Sequence, residues 1–389
     1  MFPEARLDVS LRVRDGAVAE VAVRSTRLVQ ASRLFAGRRP DEVTGLLPTV
    51  FALCGTAQVL AALSAMEQAS ALAPSAAQLP ARQMLLLAET VAEHGLGLAR
   101  DWHALAGAEP DLAAAKRIKT AMAAIRPALY PEGDWKRPGG GTLSPDRAAI
   151  TAAVAAARAA IADLLGADAE AIVADPDAFD AWRRGGRSPV ARLVAEVSAP
   201  ALAGFGTGPF LPMPERGPVD LAARLEADRD SQYVARPDFA GRVFETGPLA
   251  RQAWQPAVGT LIARHGPGLL ARLVARLAEV ASSLQEMDDL VHSLDNGASP
   301  SACLVDGSGL GLVEAARGLL VHRVELEGGR VKRYQILAPT EWNFHPHGPL
   351  ARGLRGTPAT DDLGRRATLL ASALDPCVAC RVTVEPADA

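Results

Sequence analysis

Two of the four cysteines stand three residues apart, in Asp375-Pro376-Cys377-Val378-Ala379-Cys380. A pair so spaced is a redox couple, half of a metal site or coincidence, and the spacing alone does not choose. No second CxxC completes a four-cysteine zinc ribbon. Cys54, in an apolar stretch, reads either as a further thiolate ligand or as a small buried hydrophobe. Cys303, in Ser301-Ala302-Cys303, reads as core or loop. His345 and His347 flank a proline, a composition that suits a metal but more often marks a loop; His94 and His103 read as packing or surface residues. Arg317 lies beside a strand start, where an ion pair with Glu314 is the plain structural role, and Thr340 reads as a turn residue. Gly307, Gly309 and Gly311 form no dinucleotide fingerprint, since no strand is read before them and no acidic residue follows at the required distance.

The elements that must position these groups show in the periodicities. Leu7, Val9, Leu11 and Val13 alternate with polar residues, and Asp15-Gly16 separates them from Ala17 to Val23, which predicts a β-hairpin. A second hairpin is expected from Gly318 to Leu326 and Arg330 to Leu337 around Glu327-Gly328-Gly329. Between the two, helices are expected over Gln83 to Ala106, over Asp146 to Leu165 with Ser144 as N-cap, and over Leu269 to Leu294. Val43 to Met66 carries no charge and is long enough to span a bilayer at about 20 residues. Its Pro48, Gly55 and Gln58 favour a helix buried on all sides. Loops are expected over Tyr130 to Leu143, Gly204 to Pro218 and His345 to Pro358. The fold class is α+β: one domain over 1–389, with a hairpin in 1–30, a mainly helical core over 40–295, and a hairpin plus the CxxC segment over 310–389.

Composition narrows the function. The 389 residues carry 41 Lys+Arg against 44 Asp+Glu, a net charge of -3, so the basic footprint of a nucleic-acid binder is missing. Four cysteines are too few for a disulfide scaffold at this length. The first residues, MFPEARLDVSLRV, alternate and are charged rather than forming an apolar signal core. The expectation is a cytoplasmic protein with reduced thiols and no membrane partner.

Several segments, in order, resemble the large subunit of nickel–iron hydrogenases. Asp375-Pro376-Cys377-x-x-Cys380 resembles that family's DPCxxC, and Glu314-Ala315-Ala316-Arg317-Gly318, with His322, resembles its EAPRG…H segment. Tyr334-Gln335 and Pro339-Thr340-Glu341-Trp342-Asn343 resemble its YQ and PTTWN run, and Glu245 to Arg251 its E-x-GPLAR segment. Leu53-Cys54-Gly55-Thr56-Ala57 falls where RxCGxC belongs. The departures are as informative. Ala57 replaces a metal-bridging cysteine, Ala52 the arginine, Ala61 a histidine, Thr383 the final histidine, and Arg6-Leu7-Asp8-Val9-Ser10 stands for RIEGH.

By that resemblance the metal ligands are Cys54, Cys377 and Cys380. The iron-ligand pocket is Arg317, Pro339 and Thr340, with Arg317 and Thr340 as donors to cyanide. Three thiolates in place of four imply no nickel, whose site in this geometry needs a sulfur-rich shell. The pattern looks most like the HupK/HoxV-type hydrogenase expression/formation proteins. It implies a non-catalytic maturation factor that is a scaffold or carrier for the iron dicyanide carbonyl unit, held transiently. Its implied partners are the chaperones that deliver that unit and the immature large subunit. The competing implications are a divergent hydrogenase-like oxidoreductase subunit with an altered metal centre, or a metal-free large-subunit mimic that binds maturation chaperones.

Overall fold

The computed structural model describes residues 5–27, 29–210, 212, 217–297 and 305–386. Strands β1 (Arg6–Arg14) and β2 (Ala17–Ser25) pair antiparallel. Asp15 and Gly16 both take positive φ (53° and 73°), the backbone that a two-residue hairpin turn requires. Far along the chain, β6 (Ala379–Pro386) returns to the other edge of β1 and pairs with it in parallel, Cys380 opposite Leu7 and Thr383 opposite Ser10. The expected hairpin is therefore the larger part of a three-stranded sheet, order β2-β1-β6. Its buried face, Leu7, Val9, Leu11, Val18 and Val21, packs on Leu350, Leu354, Leu363 and Leu370.

The second sheet also has a third strand. β3 (Gly307–Ala315), β4 (Gly318–Glu327) and β5 (Arg330–Leu337) form an antiparallel meander. Gly307, Gly309 and Gly311 lie within β3 itself, where local composition hid a strand. Cβ atoms at these three positions would meet the carbonyl oxygens of Ala69, Ala65 and Ala61 at 2.2, 2.1 and 2.0 Å. Alternate strand residues advance about 6.7 Å and four helical residues about 6 Å, so one glycine face matches one stripe of the neighbouring helix. The glycines let strand and helix backbones touch. Gly309→Val should cost about 3 kcal/mol of unfolding free energy by overpacking. Gly45→Ala, with open space around its Cβ, should be neutral or slightly stabilising. Equal urea midpoints for the two variants would refute the close-contact account.

That helix is α2 (Gly55–Ala69), which follows α1 (Pro40–Val50). The unbroken helix expected over Val43 to Met66 is thus two helices. Pro48 stands near the end of α1, Phe51 and Cys54 leave helical φ/ψ, and a Cβ on Gly55 would meet Pro48 at 3.1 Å. The corner is tight and places Cys54 at the N-cap of α2. The expected burial of α2 holds, with Ala57, Ala61 and Ala65 fully enclosed.

Beside α2 lies α3 (Gln78–Leu96), which packs on α4 (Leu112–Leu129) and α6 (Leu269–Val291), with α5 (Arg147–Leu165) against both of these. Helix α3 starts earlier than the expected Gln83 and passes through a wider turn at Gly97–Trp102 before His103–Leu105. Helix α5 is capped by Asp146, whose side chain accepts from Ala149 N at 2.9 Å; Ser144 lies outside it. By length and composition α5 could cross a membrane. Here Ile150, Val154, Ile161 and Leu165 face the core. Shorter helices lie between Ala169 and Ala203 and between Gly217 and His265. Two more, α7 (Pro339–Asn343) and α8 (Leu363–Ala373), bring the chain to the CxxC segment, and a turn of helix, Pro349–Leu354, interrupts the loop expected over His345 to Pro358. The α+β reading matches the architecture.

Candidate metal centre

Cys54, at the N-cap of α2, and Cys377, between α8 and β6, stand 323 residues apart in sequence and within each other's electrostatic reach. Burial, then Cys377 and Glu89, push the Cys54 thiol up to about 12. Its sulfur accepts from Gln58 Nε2 at 3.6 Å. Thr340 Oγ1 lies 2.7 Å from Cys377 Sγ, and Pro339 starts the helical turn that aims it. Glu89 of α3 closes the first turn of α2 by accepting from Thr56 N at 2.6 Å and Ala57 N at 2.9 Å, the cap that Cys54 does not supply.

Arg317 sits in the tight β3–β4 turn. Its terminal nitrogen donates to Glu93 Oε2 at 3.0 Å, and its Nε faces Asp375 Oδ1 at 3.4 Å without a hydrogen bond. Burial disfavours the guanidinium charge, but Asp375, Cys377, Glu93 and Cys54 more than offset it and hold its pKa above the ordinary range. The expected partner Glu314 is elsewhere: it pairs with Arg251 at 2.6 Å. A one-strand register explains this, because Glu314 belongs to β3 whereas Arg317 turns back toward α3. Asp375, at φ 53°, is shared with Arg276 at 3.4 Å.

Cys380 is not beside the other two. It is half-buried on β6 opposite Leu7, against the apolar face of the first sheet, and its thiol is pushed up to about 11 by burial and then Asp8. Among the described residues no group of three or more His, Cys, Asp or Glu side chains is placed to hold a metal ion. Thr383 Oγ1 lies 3.2 Å from Ser10 Oγ, so the two positions where the resemblance puts histidines face each other as hydroxyls. Cys303 lies outside the described residues. His345 is buried, with His347 N donating to its Nδ1 at 2.9 Å, while His103 bonds Leu98 O at 2.9 Å.

Sequence reading missed a buried chain that ends at Cys54. Tyr334 OH meets His322 Nδ1 at 2.8 Å, His322 Nε2 meets Gln58 Oε1 at 2.9 Å, and Gln58 reaches the sulfur. Burial lowers His322 to about 3, and His345, lowered first by burial and then by His347, to about 4. It also lowers His94, outweighing the hydrogen bond that His94 Nε2 donates to Glu279 at 2.7 Å. All three stay neutral in the folded chain while the unfolded chain takes up their protons below about pH 6.5. Stability from these groups is complete above that pH and falls as pH drops toward their folded values. Each contributes up to about 1.4 kcal/mol per pH unit over the window. Urea midpoints should fall from pH 7.5 to 5.0, and His345→Gln should flatten the slope; a pH-independent midpoint refutes it.

Comparison with known proteins decides the family. The chain is 32% identical over 98% of its length, and 98% of the relative's, to the hydrogenase expression/formation protein HupK of Rhizobium leguminosarum. It is 31% identical to HoxV of Cupriavidus necator, over 95% of this chain and 93% of the relative. The chain belongs to the family of hydrogenase expression/formation proteins. A family model described as nickel-dependent hydrogenase matches residues 209–383. The fold is that of a hydrogenase large subunit: the Ni-Fe-Se hydrogenase of D. vulgaris Hildenborough superposes with a TM-score of 0.65 over 94% of each chain at 17% identity. Within this expression/formation protein, two sulfurs lie in the electrostatic field of a buried arginine, and Ala57 is fully enclosed where the resemblance puts a fourth.

Proposed function

We propose that this chain is a non-catalytic hydrogenase maturation factor, a scaffold or carrier that transiently holds the iron dicyanide carbonyl unit on its way to the immature large subunit. The observation that carries the reading is the Cys54–Cys377 pair under Thr340 and Arg317. The iron unit is cargo, soft enough for thiolates and anionic at its cyanide nitrogens, which accept from charged donors. The Nε of Arg317 is such a donor: buried, charged and without a hydrogen bond. The Cys54 thiol, which burial holds protonated, binds weakly until it loses a proton, which suits a carrier that must let go. Ala57, fully enclosed in α2, leaves no sulfur to bridge a second metal, so nickel is not part of the reading. The partners are the chaperones that deliver the unit, and the place of work is the cytoplasm.

A second reading has its own observation. Cys380 is tied into β6, away from the sulfur pair, as suits a metal-free mimic of the large subunit that only occupies chaperones. Infrared spectra of protein purified without oxygen from a maturation-competent host separate the two. Cyanide and carbonyl bands with iron and without nickel are expected, along with no hydrogen turnover. A silent spectrum gives the mimic the better case, and hydrogen turnover above a blank, with nickel bound, refutes the non-catalytic reading.

A further inference from the structure

Between the N-terminal sheet and α7 lies a cavity of about 180 Å³ that the thiol pair does not use. Its wall carries Arg27, Arg236, Thr340, Glu341 and His345. Arg27 donates to Glu341 Oε1 at 2.8 Å, and both side chains are largely enclosed, 16% and 11% exposed. Arg236 is exposed, and among the described residues its guanidinium has no hydrogen bond or ion pair. Two guanidinium groups thus face one carboxylate, and His345, which burial keeps neutral, adds no charge. The wall bears a net positive charge, carried by side chains built to grip small anions.

The cavity also leads somewhere. Thr340 is at once part of its wall and the residue whose hydroxyl touches Cys377 Sγ at 2.7 Å. Arg27, also in the wall, lies in the electrostatic field of the same sulfur. Burial disfavours its charge, yet Cys377, Glu341 and Cys54 together hold its pKa above the ordinary value. No other described arginine belongs both to this cavity and to the field of the two sulfurs.

We propose that this cavity is a binding site for a small anion and a vestibule to Cys377, in which Arg236 attracts the anion and Arg27 passes it to the sulfur. That the physiological anion is a metal–cyanide unit rests on the carrier reading above; the site for small anions does not.

The test uses the full-length protein at one fixed pH and compares two alkylating reagents of similar size, anionic iodoacetate and neutral iodoacetamide. Peptide mass spectrometry follows each cysteine separately. The iodoacetate-to-iodoacetamide rate ratio at Cys377 should exceed that of free glutathione by about tenfold, the lower end of what a focused charge does to local concentration. Cys380, beside Asp8, should show no such enrichment. Arg236→Glu should bring the Cys377 ratio down to or below the glutathione value, and Arg236→Lys should keep it; because Arg236 is exposed, both variants should fold. Millimolar thiocyanate should slow iodoacetate at Cys377 in the wild type and not in Arg236→Glu. An unchanged ratio in Arg236→Glu overturns the proposal, as does a Cys377 that neither reagent reaches. Charge-selective alkylation in protein whose infrared spectrum is silent keeps the anion site and removes the carrier reading; bound cyanide bands without charge selectivity remove the vestibule alone.

Discussion

Replacing Arg317 with leucine should unfold the protein more readily by about 3 kcal/mol, the lower end for removing one partner of a buried ion pair. Glu93 would lose its 3.0 Å donor, and Asp375 would keep only Arg276 at 3.4 Å. Burial already pushes Glu93 above the ordinary carboxylate range, with Arg317 the chief counterweight, so without the arginine that carboxyl should be pushed up further. A structural role predicts no more than this. The carrier reading predicts in addition that folded Arg317→Leu retains iron about 10- to 100-fold less well, since one charged hydrogen bond to cyanide is worth about 1.5–3 kcal/mol. Arg317→Lys separates the two: it restores charge toward Glu93 but not the Nε donor, so stability should recover more than iron content. Equal iron in wild type and both variants would remove Arg317 from the site. An unchanged urea midpoint for Arg317→Leu would remove it from the ion-pair network.

The second large effect is a split between the two cysteines of the CxxC. Cys377→Ala takes away the sulfur beside Thr340 and should lower active hydrogenase in cells to the level of a strain lacking this protein. Cys380→Ala removes a sulfur packed on the first sheet and should cost about 1 kcal/mol of stability, with maturation largely preserved. Resemblance alone predicts equal damage, because it makes both cysteines ligands. Hydrogenase activity in the two single mutants, at matched protein level, decides between geometry and resemblance. Loss of activity in Cys380→Ala equal to that in Cys377→Ala would mean that β6 releases Cys380 to the site during work.

What could be read from the residues followed from how local each cause was. The hairpin turns at Asp15-Gly16 and Gly328-Gly329 need positive φ, which a dipeptide announces by itself. Strand β3 stayed hidden because its alternation is glycine against mixed residues, and the reason for glycine is a helix more than 230 residues earlier in the chain. The break between α1 and α2 escaped because apolar composition runs straight through it. The family-derived residues Cys54, Cys377, Arg317 and Thr340 converge, whereas Glu93 and Arg27, which set the charge around them, have no motif. Glu314 is the nearest acid to Arg317 in sequence, and strand geometry sends it to Arg251 instead. Cys380 shows the same limit: three residues from Cys377 on paper, it is in a different element.

The parallel pairing of β6 with β1 has a consequence for how the protein is made. Leu7 and its partner Cys380 leave the ribosome 373 residues apart. At about 5–20 residues per second, that interval is roughly 20 to 75 s. Throughout it, the edge of β1 that β6 will cover has no strand beside it, and a bare edge invites pairing with other chains. The segment carrying Cys377 is anchored on the N-terminal sheet only when translation has passed β6. A chain that stops before β6 therefore carries Cys54 and its helix without the second sulfur anchored.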